Sequence, residues 1–349
     1  SYRQAVAFNP DFPEAHSNLG NTLKALRKLE EAAISYRQAI VFNPSFAEGH
    51  YNLSVTLQEL GKLEEAEASY RQTIALKPDF AEAQYNLGLT LQELGRLDEA
   101  EAFYKQAIVL KPDFVEAYYN LGNTLQKLGR VDDAKANYRQ AIALNSDYVE
   151  AHLNLGNTLK ELGKLDKAVA SYTHSIALKP DLAEAHHNLG LTLQQLGRLD
   201  EAEASYMQAI ALQSDYAEAH DNLGNILIEL GRLDEAKVSY TQAIALKDNC
   251  WSAKHMLSAI TGETTATAPR DYVEGLFNSY SANFESSLVN DLEYKIHKVI
   301  VQMLLKNHRG NSLGSVLDLG CGTGLTGLEI KPYCEYLEGI DLSEKMLKE

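Results

Sequence analysis

Five of the eight prolines in this chain of 349 residues fall on a ruler. Pro10, Pro44, Pro78, Pro112 and Pro180 stand 34, 34, 34 and 68 residues apart, and the skipped step is Ser146. Eight prolines is also few, against about 17 at average usage, so long helices are expected. A 34-residue period is the signature of stacked helix–turn–helix repeats. It lays out seven full repeats over residues 13–250, beginning at Pro13, Ala47, Ala81, Val115, Val149, Ala183 and Ala217. Residues 1–12 read as the tail of a partial repeat. Residues 251–262 read as a capping helix, 263–270 as a small-polar linker, and 271–349 as text of a different kind.

Composition narrows the function classes. A formal net charge of −16 argues against binding nucleic acid or an anionic membrane, because a polyanion is repelled. Three cysteines cannot make a disulfide framework, which favours a reducing, cytoplasmic setting. No apolar run approaches the roughly 18 residues that a spanning helix needs. Ser1 in place of Met fits a start inside a repeat, and the polypeptide reads as an internal fragment.

Residues 81–114 show how one repeat works. A first helix carries Leu87, Leu91 and Leu94 at helical spacing, and Gly95 stops it in a left-handed conformation. Leu97-Asp98-Glu99 starts a second helix, with acids in its first turn, and Lys111-Pro112-Asp113 ends it. Small residues at Gly88, Ala100 and Ala107 are expected to let neighbouring backbones approach. One hairpin cannot bury its apolar face alone, so the repeats must stack. With Leu87, Gly88, Leu91, Ala100, Tyr104, Ala107 and Pro112 in one repeat, the array resembles tetratricopeptide repeats. The resemblance implies a mainly α, right-handed superhelix with a concave and a convex face. Within that family the repeats look most like those of O-linked N-acetylglucosamine transferases.

One column carries that last likeness. Asn18, Asn52, Asn86, Asn120, Asn154, Asn188 and Asn222 hold the same position in all seven repeats. Asparagine is a mediocre helix former, so its presence in mid-helix needs a cause. Copying by recent duplication is one, but the preceding column diverges: Ser17, Tyr51, Tyr85, Tyr119, Leu153, His187, Asp221. A structural bond to the adjacent helix is another. The third is peptide binding, since an amide pairs with both a peptide N–H and a C=O. Helices about 8–10 Å apart would meet about every third residue of an extended chain rising ~3.3 Å per residue. In the transferases that the array resembles, the matching asparagines line the inner surface and hold substrate polypeptide, and the resemblance implies that role here.

Two further columns carry weaker signals. His16, His50, His152, His186 and His220 recur with Gln84 and Tyr118 in the gaps. Residues one repeat apart cannot converge on one metal at about 2.0–2.1 Å, so half-buried packing is expected instead. Glu14, Glu48, Glu82, Glu116, Glu150, Glu184 and Glu218 sit in first helical turns, where they complement the helix dipole. If they also face the groove, they would favour basic peptides.

Beyond the period, Tyr272, Leu276, Phe277 and Tyr280 read as a short aromatic helix, and residues 291–306 as an amphipathic one. Then come SVLDLGCGTGLTG and YLEGIDLSEKML, each opening on a short strand. Gly322, Gly324 and Gly327 satisfy the dinucleotide fingerprint, with Asp341 placed to hold a ribose. Asp318 argues otherwise, because a carboxylate at the strand end opposes a pyrophosphate and suits an ammonium or sulfonium. DLGCGTG with the later IDLS resembles the cofactor motifs of class I S-adenosylmethionine-dependent methyltransferases, an α/β Rossmann-like fold. By that resemblance Asp318 contacts the methionine end, Gly320, Cys321 and Gly322 let the backbone approach the cofactor, Asp341 accepts the ribose hydroxyls, and Leu342 flanks the adenine. The aromatic segment resembles the N-terminal cap of that family.

Class I methyltransferases have seven strands, and two are legible here, so the fragment is expected to be inactive, with its catalytic residues unassigned. The leading expectation is a fusion of a polypeptide-binding superhelix with an S-adenosylmethionine-dependent methyltransferase. The alternative is a non-catalytic scaffold carrying a degenerate methyltransferase remnant. A glycosyltransferase reading fails for lack of a matching catalytic domain after the repeats.

Overall fold

Each repeat folds as the same pair of helices, because each carries the same start and stop signals. The structure is a computed structural model and describes residues 2, 4, 8–263, 270, 273–274, 277, 296–307, 312–313, 315–319, 325–341 and 347. Two compact units form, Ser1–Gln213 and Ser214–Glu349.

In the first unit, the first helices of six repeats are α1 Pro13–Ala25, α3 Ala47–Glu59, α5 Ala81–Glu93, α7 Val115–Lys127, α9 Val149–Glu161 and α11 Ala183–Gln195. The second helices are α2 Leu29–Phe42, α4 Leu63–Leu76, α6 Leu97–Leu110, α8 Val131–Leu144, α10 Leu165–Leu178 and α12 Leu199–Leu212. The third repeat shows the punctuation. Gly95 sits at φ 76°, its N–H bonds the Gln92 carbonyl at 3.1 Å, and the Arg96 N–H bonds the Leu91 carbonyl at 2.9 Å. These two hydrogen bonds satisfy two of the orphan carbonyls at the end of α5.

Within this unit each first helix packs on its own second helix, and the second helices of the first five repeats pack on the first helix of the following repeat. One continuous core results, running from Leu23 to Ala185. The largest fully buried side chains of the first unit include Tyr36, Tyr70, Tyr104, Tyr138, Tyr172 and Tyr206, one per repeat. Full burial of an aliphatic neighbour such as Leu91 contributes about 1.5–3 kcal/mol. The glycine column has a different purpose from the expected backbone approach. A Cβ on Gly88 would lie 2.8 Å from the Tyr104 ring, so the missing side chain makes room for the tyrosine. In the second repeat Ser54 takes this place, with its hydroxyl turned onto the His50 and Tyr51 carbonyls at 3.0 and 2.8 Å.

The second unit opens with one more repeat, α13 Ala217–Glu229 and α14 Leu233–Leu246, followed by α15 Trp251–Thr261. Leu227, Ala236, Tyr240, Ala243 and Ala253 form the core of these three helices. Later in the same unit lie α16 Ile296–Asn307, β1 Ser315–Leu319, α17 Leu325–Ile330 and β2 Tyr336–Ile340. β1 and β2 pair in parallel, with Asp318 opposite Gly339 and Leu319 opposite Ile340. A helical crossover between parallel neighbours is what such pairing requires. Among the described residues there are only these two strands, and no helix is long and apolar enough to cross a membrane.

Candidate functional site

The asparagine column is built into contacts between repeats. Asn86 Nδ2 donates to the Tyr51 hydroxyl at 3.0 Å, Asn120 to Tyr85 at 2.8 Å, and Asn154 to Tyr119 at 3.1 Å. Asn154 also donates to Asn123 Oδ1 at 2.9 Å, which uses both of its amide hydrogens. Where the tyrosine column has given way to Leu153, Asn188 donates to Asn157 Oδ1 at 3.2 Å instead. The bond to the adjacent helix, one of the three readings of the column, is therefore present at four positions. Asn18 is exposed, Asn52 is half-buried, and Asn222 holds the matching, half-buried position in the second unit.

These bonds use the amide nitrogen and leave the oxygen. The Oδ1 atoms of Asn52, Asn86, Asn120, Asn154 and Asn188 accept no hydrogen bond among the described residues. The backbone beneath them is held by threonine. Thr90, Thr124 and Thr158 donate to the carbonyls of Asn86, Asn120 and Asn154 at 2.9, 2.9 and 2.7 Å. At Asn86, Asn120 and Asn154 a fixed backbone and a committed amide nitrogen together fix where the oxygen points.

The tyrosines remain donors. Burial, then the Glu116 charge, pushes the Tyr85 hydroxyl up to about 12, with the Asn120 bond opposing. Burial and Glu82 raise Tyr51 likewise. The Tyr51 and Tyr85 hydroxyls accept from asparagine and keep their own protons, so oxygen acceptors and O–H donors lie side by side. Sequence reasoning missed Tyr51, Tyr85 and Tyr119 as partners of the column, although their run of three beside the asparagines was the available signal. The same influences place Glu82 and Glu116 close to the strip.

The histidine column has a local role. The Nε2 atoms of His16, His50, His152, His186 and His220 lie 2.7, 3.1, 2.9, 3.0 and 3.4 Å from the carbonyls of Pro10, Pro44, Ser146, Pro180 and Ser214. A carbonyl only accepts, so each imidazole donates and ties its helix to the turn before it. Gln84 does the same to Pro78 at 3.4 Å. No group of residues suited to a metal occurs among the described residues.

In the second unit two carboxylates meet at the carboxyl end of the parallel pair. Asp318 is the fourth residue of β1, and Asp341 directly follows β2. Burial, then the charge of Asp341, raises the Asp318 carboxyl above its ordinary range. Asp318 Oδ2 is buried without a hydrogen-bond partner among the described residues. An orphaned carboxylate oxygen beside a second acid is a place that a cationic group would relieve. Gly320, Cys321, Gly322 and Leu342, the other expected cofactor contacts, lie outside the described residues, as do Tyr272, Leu276 and Tyr280 of the expected aromatic helix.

Comparison with known proteins agrees on the repeats. Models described as TPR repeat match residues 20–61, 127–163 and 156–197, and models described as tetratricopeptide repeat match 51–113, 103–136 and 181–249. PilF of Pseudomonas aeruginosa is similar in structure, with a TM-score of 0.52 at 21% identity, over 62% of this chain and 97% of that one. PilW, described as a type IV pilus biogenesis factor, aligns with a TM-score of 0.52 at 23% identity, over 60% and 98%. At these identities the likeness shows the fold alone: mainly α, in a tetratricopeptide-like superhelix. A stretch of 65 residues is 37% identical to a probable S-adenosylmethionine-dependent methyltransferase, CRG1, of Saccharomyces cerevisiae. It covers 19% of this chain and 22% of the yeast protein.

Proposed function

Residues 20–249 of this chain are tetratricopeptide repeats, and from that premise we propose that the array holds an extended polypeptide along its concave face. The supporting observation is the polarity of the asparagine column. With the amide nitrogens tied to the preceding repeat, the Oδ1 atoms of Asn86, Asn120 and Asn154 are oriented acceptors for peptide N–H groups. The Tyr51, Tyr85 and Tyr119 hydroxyls are donors for peptide carbonyls. Recognition through the backbone tolerates many sequences, which suits a protein-interaction module. Asn18, Asn52 and Asn188 extend the same strip within the first unit.

The second part of the proposal is that residues 271–349 begin an S-adenosylmethionine-dependent methyltransferase domain of Rossmann-like fold, fused to the array. Support comes from the parallel β–α–β arrangement, the orphaned Asp318 oxygen beside Asp341, and the short stretch like the yeast methyltransferase. Asp318 would receive the ammonium of S-adenosylmethionine and Asp341 its ribose hydroxyls, with Gly320, Cys321, Gly322 and Leu342 completing the contact. When bound, that cofactor supplies an electrophilic methyl group. Calorimetry of the full-length protein with S-adenosylmethionine is the test. Binding that Asp341→Ala abolishes supports the assignment; no binding, or binding unchanged in Asp341→Ala, overturns it.

A further inference from the structure

Ion pairs join the second helices of consecutive repeats into a ladder. Arg96, in the turn before α6, pairs with Glu67 of the preceding repeat at 2.6 Å and with Glu99 of its own at 2.7 Å. One repeat on, Arg130 pairs with Glu101 and with Asp133, both at 2.7 Å. Arg37 reaches Glu65 at 2.7 Å and Arg71 reaches Glu99 at 3.1 Å in the same way. In each case a cation meets an acid 28 or 29 residues away.

The junction of the fourth and fifth repeats reverses this pattern. The positions that match Glu101 and Arg130 are Lys135 and Lys164, and those that match Arg71 and Glu99 are Arg139 and Lys167. Both acids of the ladder are lysines here. The ammonium groups gather: Lys135 first, then burial, lowers the Lys164 ammonium below its ordinary value, and Lys167 adds to this. The Lys135 side chain is only 16% exposed and pairs with Asp132. That one acid serves both lysines. Asp133 is taken by Arg130, and the Asp166 charge falls on Arg198, behind that of Glu201. Arg139 and Lys167 have no ion pair among the described residues.

Like charges held together raise each other's energy until an anion joins them. The flanking ladder sets the size of that anion. An extended acidic ligand leaving the junction would meet Glu101 and Asp133 on one side and Glu201 on the other. A compact dianion with several acceptor oxygens avoids them and can bridge two ammonium groups. We propose that Lys135 and Lys164, supported by Lys167 and Arg139, bind a phosphate group at the junction of the fourth and fifth repeats. The site is built on α8, α10 and the turn before α10, and it stands independently of the asparagine groove. The phosphate is either the free ion or the group on a phosphorylated side chain.

Phosphorus NMR of inorganic phosphate titrated with the full chain, in chloride at constant ionic strength, reads binding as line broadening. The parent is expected to broaden the signal, and acetate at equal concentration is expected to leave it broadened. Lys135→Glu returns the acid that the ladder carries in the preceding repeats. It is expected to melt no lower than the parent while weakening phosphate binding about fivefold or more. Lys164→Gln, which removes one ammonium without adding an acid, is expected to weaken binding likewise. N-acetyl-O-phosphoserine amide as competitor separates the sources. Displacement of phosphate assigns the site to phosphorylated side chains as well, and no displacement assigns it to the free ion. No broadening by the parent, displacement by acetate, or binding unchanged in either variant overturns the proposal.

Discussion

Asn120 donates its side-chain amide to the Tyr85 hydroxyl 2.8 Å away, across the boundary between two consecutive repeats. The bond makes the asparagine column structural and oriented at once. It also separates two effects of mutation. Removing the tyrosine hydroxyl tests the contact between repeats, whereas removing the asparagine tests both that contact and the acceptor oxygen.

Tyr85→Phe is therefore expected to destabilise the first unit by about 0.5–1.5 kcal/mol, the net worth of one hydrogen bond. Urea unfolding followed by circular dichroism reads the change. Equal midpoints for parent and variant would show that the Asn120–Tyr85 bond contributes nothing to stacking.

Gly122→Ala is expected to be worse than its single methyl implies. The new Cβ would stand 2.6 Å from the buried Tyr138 ring, so ring or helix must shift, at about 1–3 kcal/mol. The same unfolding measurement decides, and a neutral variant would mean that the ring has slack.

The second unit should show an unusual response to pH. Asp221 lies in the column where three other repeats carry tyrosine, and its Oδ1 is buried without a hydrogen-bond partner among the described residues. Burial raises its carboxyl above the ordinary value, although hydrogen bonds from Ser252 and Cys250 oppose this. The folded state thus holds this proton more tightly than the unfolded state does. Stability from this group is gained as pH falls from neutral through the raised value, and it levels off below the ordinary carboxylate range. Asp221→Asn should raise stability at neutral pH and flatten that slope. A variant less stable at neutral pH would contradict the account.

His152 has the opposite sign. Burial lowers its imidazole, so protonation in the unfolded state draws stability away as pH falls below about 6.5. His152→Gln should keep the bond to the Ser146 carbonyl, as Gln84 keeps one to Pro78, and lose this pH dependence. His152→Ala should cost about 0.5–1.5 kcal/mol. Thermal melts at several pH values compare the three proteins.

The helices were legible because each repeat states its own punctuation. The starts at Pro13, Ala47, Ala81, Val115, Val149, Ala183 and Ala217 coincide with the period, and Gly95 adopts the left-handed stop. What spans two repeats was less legible. The Asn120–Tyr85 bond depends on how one helix sits against the next, and neither residue's own repeat contains its partner. Gly88 looked like a site of backbone approach because its true neighbour, Tyr104, lies on the other helix. In the second unit the strand ends placed Asp318 and Asp341 together, but the burial of one Asp318 oxygen is a property of packing.

The most direct test of the groove compares the full chain with the triple variant Asn86→Ala, Asn120→Ala, Asn154→Ala, using fluorescence anisotropy with a fluorescein-labelled, amidated alanine–serine peptide. Three acceptor bonds at about 0.5–1.5 kcal/mol each predict a loss of affinity of tenfold or more, with helical circular dichroism unchanged. Equal affinity in the two proteins, with only the unfolding midpoint of the variant lowered, would contradict the account and leave the asparagines as bonds between repeats alone.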